Sequence, residues 1–201
     1  MSRSIELLFD FASPNVYLAH RVLLGIAAKS GAELRIVPCL LGGIFKLANN
    51  QSPMATYAQV KGKLDYETLE TQRFVTKHQL NEFHWNPHFP INTLLIMRGL
   101  IAAQHIGVAD QYRKTVLAAM WEQGEKMDDP SVVERVLTTA GLDSAKLFAL
   151  AQSPVVKAEL VSNTEAAVQR GVFGLPTIFV GNDMFFGKER LGQVEELLAH
   201  T

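Results

Sequence analysis

The sequence predicts an α/β fold in which a β-α-β unit and a β-β-α unit enclose a large all-helical insert. Three observations predict it. Apolar runs with strand character lie near both ends, at Ile5–Phe11 and Thr177–Phe186. Each is coupled to an apolar stripe at helical spacing. Between about Thr56 and Gly171 the pattern is helical throughout, with no alternating run.

Ile5-Glu6-Leu7-Leu8-Phe9-Asp10-Phe11 is the first strand. Val16, Ala19, Val22, Leu23, Ile26 and Ala27 then recur on one helical face, and Gly31 closes that helix in a left-handed cap. Leu34-Arg35-Ile36-Val37-Pro38 is the second strand, so a parallel pair is expected. Leu41 to Pro53 holds two glycines, two asparagines and a proline, which reads as a loop or a short helix with a loop.

Helices are expected over Lys61–Lys77 and Asn92–Ile106, the latter apolar almost all round and therefore buried. Tyr112, Val116, Leu117, Met120 and Trp121 form another stripe, and Asp129-Pro130 opens a further helix that Gly141 ends. Ser144–Gln152 and Pro154–Arg170 follow. Thr177-Ile178-Phe179-Val180, the turn Gly181-Asn182 and Met184-Phe185-Phe186 make a hairpin. The last helix begins near Gly187 and carries Leu191, Val194, Leu197 and Leu198. Pro176 stands just before a strand, where a cis bond in a tight turn is expected. This order is the thioredoxin-like arrangement, with 1–43 and 172–201 as its domain and 44–171 as a helical insert domain.

Composition narrows the function. The 201 residues carry 48% apolar side chains, enough for a core, and a net charge of -1 from 19 basic and 20 acidic residues. That balance argues against a nucleic-acid partner. No apolar run is long enough for a membrane span. Met1-Ser2-Arg3-Ser4 enters the first strand at once, so no signal peptide is expected and the cytoplasm is the expected location. A single cysteine, Cys39, excludes an intramolecular disulfide and a CxxC redox pair, and reads as a buried small hydrophobe. His84 and His88 share a helical spacing, but Pro87 between them opposes a helix, and no metal signature is found.

The stretch that points to chemistry is Ser13-Pro14, where the first strand gives way to the first helix. Serine is a good N-cap, and proline suits the first helical turn because it has no N–H to leave unpaired. Free N–H groups and the positive dipole end then surround Ser13, and would stabilise a thiolate or other anion there. Ser153-Pro154 is the same dipeptide at another helix start with no chemistry nearby. What separates Ser13 from it is the place at the end of the first strand and a second motif, Leu175-Pro176, far downstream.

Phe9-Asp10-Phe11-Ala12-Ser13-Pro14 with Tyr17-Leu18-Ala19 resembles the 2-hydroxychromene-2-carboxylate isomerases and their relatives, the kappa-class glutathione transferases. Leu41-Gly42-Gly43-Ile44-Phe45-Lys46 with Asn50, Phe173-Gly174-Leu175-Pro176-Thr177, and Phe186-Gly187-Lys188-Glu189-Arg190-Leu191 are similar to the other signatures of that group, in order along nearly the whole chain. Related disulfide oxidoreductases carry Cys-x-x-Cys where this chain has Ser13-Pro14-Asn15-Val16, a departure that removes redox chemistry and keeps the electrostatics.

The resemblance implies a glutathione-dependent isomerase that interconverts 2-hydroxychromene-2-carboxylate and trans-o-hydroxybenzylidenepyruvate, or a similar aromatic. It implies Ser13 as the catalytic serine, hydrogen-bonded to the glutathione sulfur. Leu175 before Pro176 would offer its backbone to the cysteinyl part. Glu189 and Arg190 would hold the γ-glutamyl end, and Asn50 and Lys63 would be further glutathione contacts. Lys46 would contact the small aromatic carboxylate substrate, with Trp85 and Asn92 where the insert faces the site. A homodimer is implied too. Two other readings stand beside it: a kappa-like glutathione transferase, and a thioredoxin-fold binding protein without chemistry.

Overall fold

A computed structural model, which describes residues 3–200, shows one mixed four-stranded sheet flanked by helices. Met1 and Ser2, read as part of the entry to the first strand, lie outside the described residues. The strands are β1 (Ser4–Phe9), β2 (Glu33–Pro38), β3 (Thr177–Val180) and β4 (Asp183–Phe186), in the order β2-β1-β3-β4. β1 runs parallel to β2, with Phe9 opposite Pro38, and antiparallel to β3, with Leu8 opposite Thr177. β3 and β4 form the expected hairpin. Successive residues Leu7, Leu8 and Phe9 point to alternate faces, yet all are buried, so both faces of β1 are covered.

The helices are α1 (Pro14–Ser30), α2 (Leu41–Leu47), α3 (Pro53–Tyr57), α4 (Lys63–His78), α5 (Leu94–His105), α6 (Ala109–Trp121), α7 (Pro130–Thr139), α8 (Ser144–Ala151), α9 (Pro154–Gln169) and α10 (Leu191–His200). Among the described residues no strand lies between β2 and β3, so the middle is helical as its periodicity predicts. α1 packs on α10, while α5 and α9 reach β2. Among the described residues no helix is long and apolar enough to cross a membrane.

The caps are largely those expected. Gly31 ends α1 at φ 67°, in the left-handed region that glycine tolerates, and its N–H donates to Ala27 O. Asp129 and Ser153 cap α7 and α9 with their side chains. α5 departs from expectation by starting at Leu94 rather than Asn92, and its N-cap Thr93 makes no side-chain cap bond. Thr93 donates its hydroxyl to Asp10 instead. Lys188–Arg190 form a separate 3-10 turn before α10 rather than its first turn.

Between α4 and α5 the chain is irregular and aromatic, so His84 and His88 share no helix face. Phe83 stacks on Trp121 at 6.0 Å and Phe89 lies 5.9 Å from the same ring. Trp121 donates its indole N–H to Phe11 O at 3.0 Å, tying this aromatic cluster to the end of β1. Both Leu175-Pro176 and Phe89-Pro90 are cis; the first was expected, and nothing in the local sequence distinguished the second.

Candidate active site

Ser13 sits where β1 hands over to α1. Its extended backbone (φ -98°, ψ 119°) makes it the N-cap, and Oγ accepts from Val16 N at 3.3 Å. Its carbonyl accepts from Val16 N and Tyr17 N, so the first turn of α1 closes around this residue. No acidic side chain of α1 itself occupies that turn. Ser13 is buried and its Oγ donates to Leu175 O at 3.4 Å, across 162 residues.

That contact places the cis Leu175-Pro176 bond against the N-terminus of α1. The rim continues from there. Gly187 N donates to Pro176 O at 3.0 Å, which fixes the Lys188–Arg190 turn behind the proline. Asn50 Nδ2 donates to Phe173 O at 2.8 Å, two residues before Leu175. The Phe173 and Phe186 rings meet at 4.6 Å, and a Cβ at Gly174 would approach the Phe186 ring to 3.0 Å, a tight contact that glycine avoids. Ser13, Asn50, Leu175 and Pro176 thus belong to one connected edge, and the backbone of Gly187 joins the turn that carries Glu189 and Arg190 to it.

Other residues of the expected site are not linked to it directly. Lys63, at the start of α4, pairs with Glu67 and lies over the Tyr57 and Tyr66 rings, at 5.2 and 5.7 Å. Lys46 is exposed on α2. Trp85 is 48% exposed, so it is not core; its ring stands edge-on to Phe83 at 5.7 Å, and Phe83 in turn lies against Tyr17. Asn92 is exposed and its side chain accepts from Leu94 N at 3.0 Å. Glu189 does not pair with Arg190; its carboxylate holds Lys188 Nζ at 2.5 Å.

Three further residues carry no role that their local sequence assigns. Asp10, at the end of β1, is 1% exposed. Burial pushes its carboxyl above the ordinary range, against the lowering effect of hydrogen bonds from Thr93, Ala12 and Leu41. Thr93, 3% exposed, is its side-chain partner at 2.6 Å. Lys188 is buried to 3%, with its ammonium 5.6 Å from the Phe74 ring and paired with Glu189. The only signal for Asp10 was an acid closing an apolar strand, and for Lys188 a basic residue within a turn.

The chain's own thiol is not available for chemistry. Cys39 is buried, and burial followed by the charges of Asp10 and Glu6 pushes its thiol up to about 12. The Tyr17 phenol, four residues after Ser13, is also held neutral: burial, and its hydrogen bond to Glu122 at 2.8 Å, push it up. A cleft of about 560 Å³ lies elsewhere. It is lined by Val22, Ile26, Phe74, Lys188 and Glu189 and runs along α1 away from its N-terminus, so its size does not mark the chemistry. At Ser13 the arrangement offers a hydroxyl, a helix N-terminus and a backbone edge. Those donors suit an anionic sulfur on an extended peptide.

The chain is similar to known proteins along its length. The chain is 28% identical over 193 residues to a 2-hydroxychromene-2-carboxylate isomerase of Pseudomonas sp. (strain C18), covering 95% of this chain and 88% of that protein. It is 26% identical over 218 aligned positions to human glutathione S-transferase kappa 1, covering 100% of this chain and 91% of that one. A solved structure of a 2-hydroxychromene-2-carboxylate isomerase superposes with a TM-score of 0.84 at 26% identity, covering 98% and 95% of the two chains. The family profile described as a DSBA-like thioredoxin domain matches residues 4–199, and with the sheet order, the cis Leu175-Pro176 bond and the Ser13 helix start already in place, the chain belongs to that family.

Proposed function

We propose that the protein is a glutathione-dependent isomerase acting on 2-hydroxychromene-2-carboxylate or a similar aromatic carboxylate. The observation that carries this is the buried Ser13 hydroxyl, set at the N-terminus of α1 and against Leu175 O. When bound, glutathione supplies a thiolate that adds reversibly to a conjugated carbon, allows rotation about a carbon–carbon bond and is expelled. The chain's part is to hold that sulfur ionised. Ser13 Oγ donates to it in place of Leu175 O, and the N–H groups of the first turn add their field. Leu175 and Pro176 present the edge for the cysteinyl backbone, with Asn50 and Lys63 on the flank and Glu189 and Arg190 at the γ-glutamyl end. Lys46 holds the substrate carboxylate as a cation, and Trp85 and Asn92 face the ring.

Calorimetric titration with glutathione, paired with turnover of 2-hydroxychromene-2-carboxylate, tests the reading. Binding and a rate that requires glutathione are expected. No heat at millimolar glutathione, or a rate independent of it, would refute the proposal. A second reading, a kappa-like transferase, is favoured by the likeness to human glutathione S-transferase kappa 1. Mass spectrometry separates the two, since a transferase releases a glutathione conjugate and an isomerase releases none.

The reducing cytoplasm suits this chemistry, because it holds glutathione as thiol. A homodimer is part of the proposal. It is supported by exposed apolar side chains concentrated in one stretch, Leu47, Met54, Tyr57, Val60, Tyr66 and Leu69. Sedimentation at the mass of one chain would remove that part alone.

A further inference from the structure

We infer that Asp10 is the positioning residue of the site, holding Ser13 in register with the two insert segments that carry Lys46 and Asn92. Asp10 Oδ1 accepts from Ala12 N at 2.9 Å, within the loop that delivers Ser13. The same oxygen accepts from Thr93 Oγ1 at 2.6 Å, next to Asn92 and one residue before α5. Oδ2 accepts from Leu41 N at 2.7 Å, at the start of the helix that bears Lys46. The backbone joins in, since Ser13 N donates to Asp10 O at 3.4 Å. One buried carboxylate therefore ties its own loop to two segments that lie 31 and 83 residues away in the chain.

The chemistry of the group suits this use and few others. An ionised carboxylate is acceptor-only, and here each oxygen faces donors from different segments. Cys39 N donates to Phe9 O at 2.9 Å, which extends the β1–β2 pairing and brings Leu41 within reach. Thr93 gives up its role as helix cap to make the bond. Asparagine cannot substitute. With its oxygen toward Ala12 and Thr93, its amide faces the Leu41 N–H; reversed, its amide faces the Ala12 N–H. Either orientation opposes two donors and severs a link. A displacement of about 1 Å at a reacting group can lower a rate by about a hundredfold.

The inference rests on Ser13 acting on a bound thiol, and the experiment separates the two ideas. Asp10→Asn, Thr93→Val and Ser13→Ala are made singly, and Asp10→Asn is also combined with Ser13→Ala. Isomerase rates are read with glutathione, and amide hydrogen exchange is read at Ala12 and Leu41. Asp10→Asn is expected to lower kcat by about ten- to a hundredfold, and Thr93→Val by less. In the Ser13→Ala background Asp10→Asn should lower it by a smaller factor than in the unmodified protein, because the part of its effect that passes through Ser13 is already lost. One of the two amides should lose protection in Asp10→Asn. Rates that multiply in the double variant, or unchanged protection at both amides, would overturn the inference. A Ser13→Ala rate equal to that of the unmodified protein overturns instead the role of Ser13, and the amide exchange still reports on Asp10. If Asp10→Asn fails to fold, Thr93→Val carries the test: it keeps the carboxyl group and two of the three links, and an unchanged kcat there would count against Asp10.

Discussion

The Ser13 hydroxyl can cap a helix or stabilise a thiolate, and the two roles differ in what they leave measurable. As a cap it accepts from Val16 N, and Ser13→Ala should lower stability by about 1 kcal/mol while leaving the rate alone. As a donor to sulfur it contributes roughly 1.5–3 kcal/mol, or about one to two decades in rate. We expect the rate to fall by that amount at neutral pH and to recover in part as pH rises, because solvent then removes the thiol proton. Ser153→Ala is the matched control, since Ser153 caps α9 with the same 3.3 Å bond to Val156 N. It should lower the melting temperature and leave the pH–rate profile unmoved. A profile for Ser13→Ala that overlays the unmodified protein would return Ser13 to a cap. The two Ser-Pro starts are indistinguishable as dipeptides. What sets them apart is Leu175 O, which no local pattern could have placed beside Ser13.

Helix packing is decided by close approaches that periodicity does not encode. α5 reads as buried all round, and Ile96, Met97, Leu100 and Ile101 are at or near zero exposure. Its Gly99 has a specific reason that the stripe does not reveal. A Cβ there would lie 2.1 Å from Tyr112 Oη and 2.8 Å from Cζ, so α6 can approach only because the position is bare. Tyr112 Oη donates to Ile96 O at 3.0 Å, locking the two helices together. In an exposed helix Gly→Ala stabilises by about 1 kcal/mol. Here Gly99→Ala should destabilise, by roughly 1–3 kcal/mol from overpacking. Tyr112→Phe loses the hydrogen bond, for about 1 kcal/mol, and removes the nearest clashing atom. The double variant should therefore be more stable than the sum of the two losses allows. Denaturant melts of the four proteins check this; strict additivity would show that Gly99 and Tyr112 do not oppose each other.

Across the whole molecule, one buried histidine links the thioredoxin-like layer to the insert and sets part of the acid stability. His20 on α1 is 5% exposed and accepts from Arg113 Nε of α6 at 3.1 Å. Burial, then the charges of Arg113 and Arg21 against the weaker pull of Asp110, lower it to about 3. Its folded value therefore lies below the ordinary 6.5, so between those values the unfolded chain binds a proton that the folded chain refuses. Stability is lost as pH falls through that window, by about 1.4 kcal/mol per pH unit. Asp10 works the other way, since its raised carboxyl costs stability as pH rises above 3.8. His20→Gln keeps an acceptor for Arg113 and cannot titrate, so its acid limb between pH 6.5 and about 3 should be flatter in urea melts. An equally steep limb would show that His20 is not held neutral. The sequence by itself determined the elements and their order, because caps, glycines and hydrophobic spacing act over a few residues: Gly31, Asp129 and Ser153 end or start helices where their chemistry says they should. It also carried Ser13 and Leu175-Pro176, through motifs that are contiguous. Only the tertiary structure decided what joins them. The bonds of Asp10 to Leu41 and Thr93, the burial of Lys188 and the pairing of Glu189 with Lys188 rather than Arg190 all depend on how distant segments meet. A hydrogen bond across 83 residues leaves no spacing to read, because its geometry exists only after the sheet and the insert have packed.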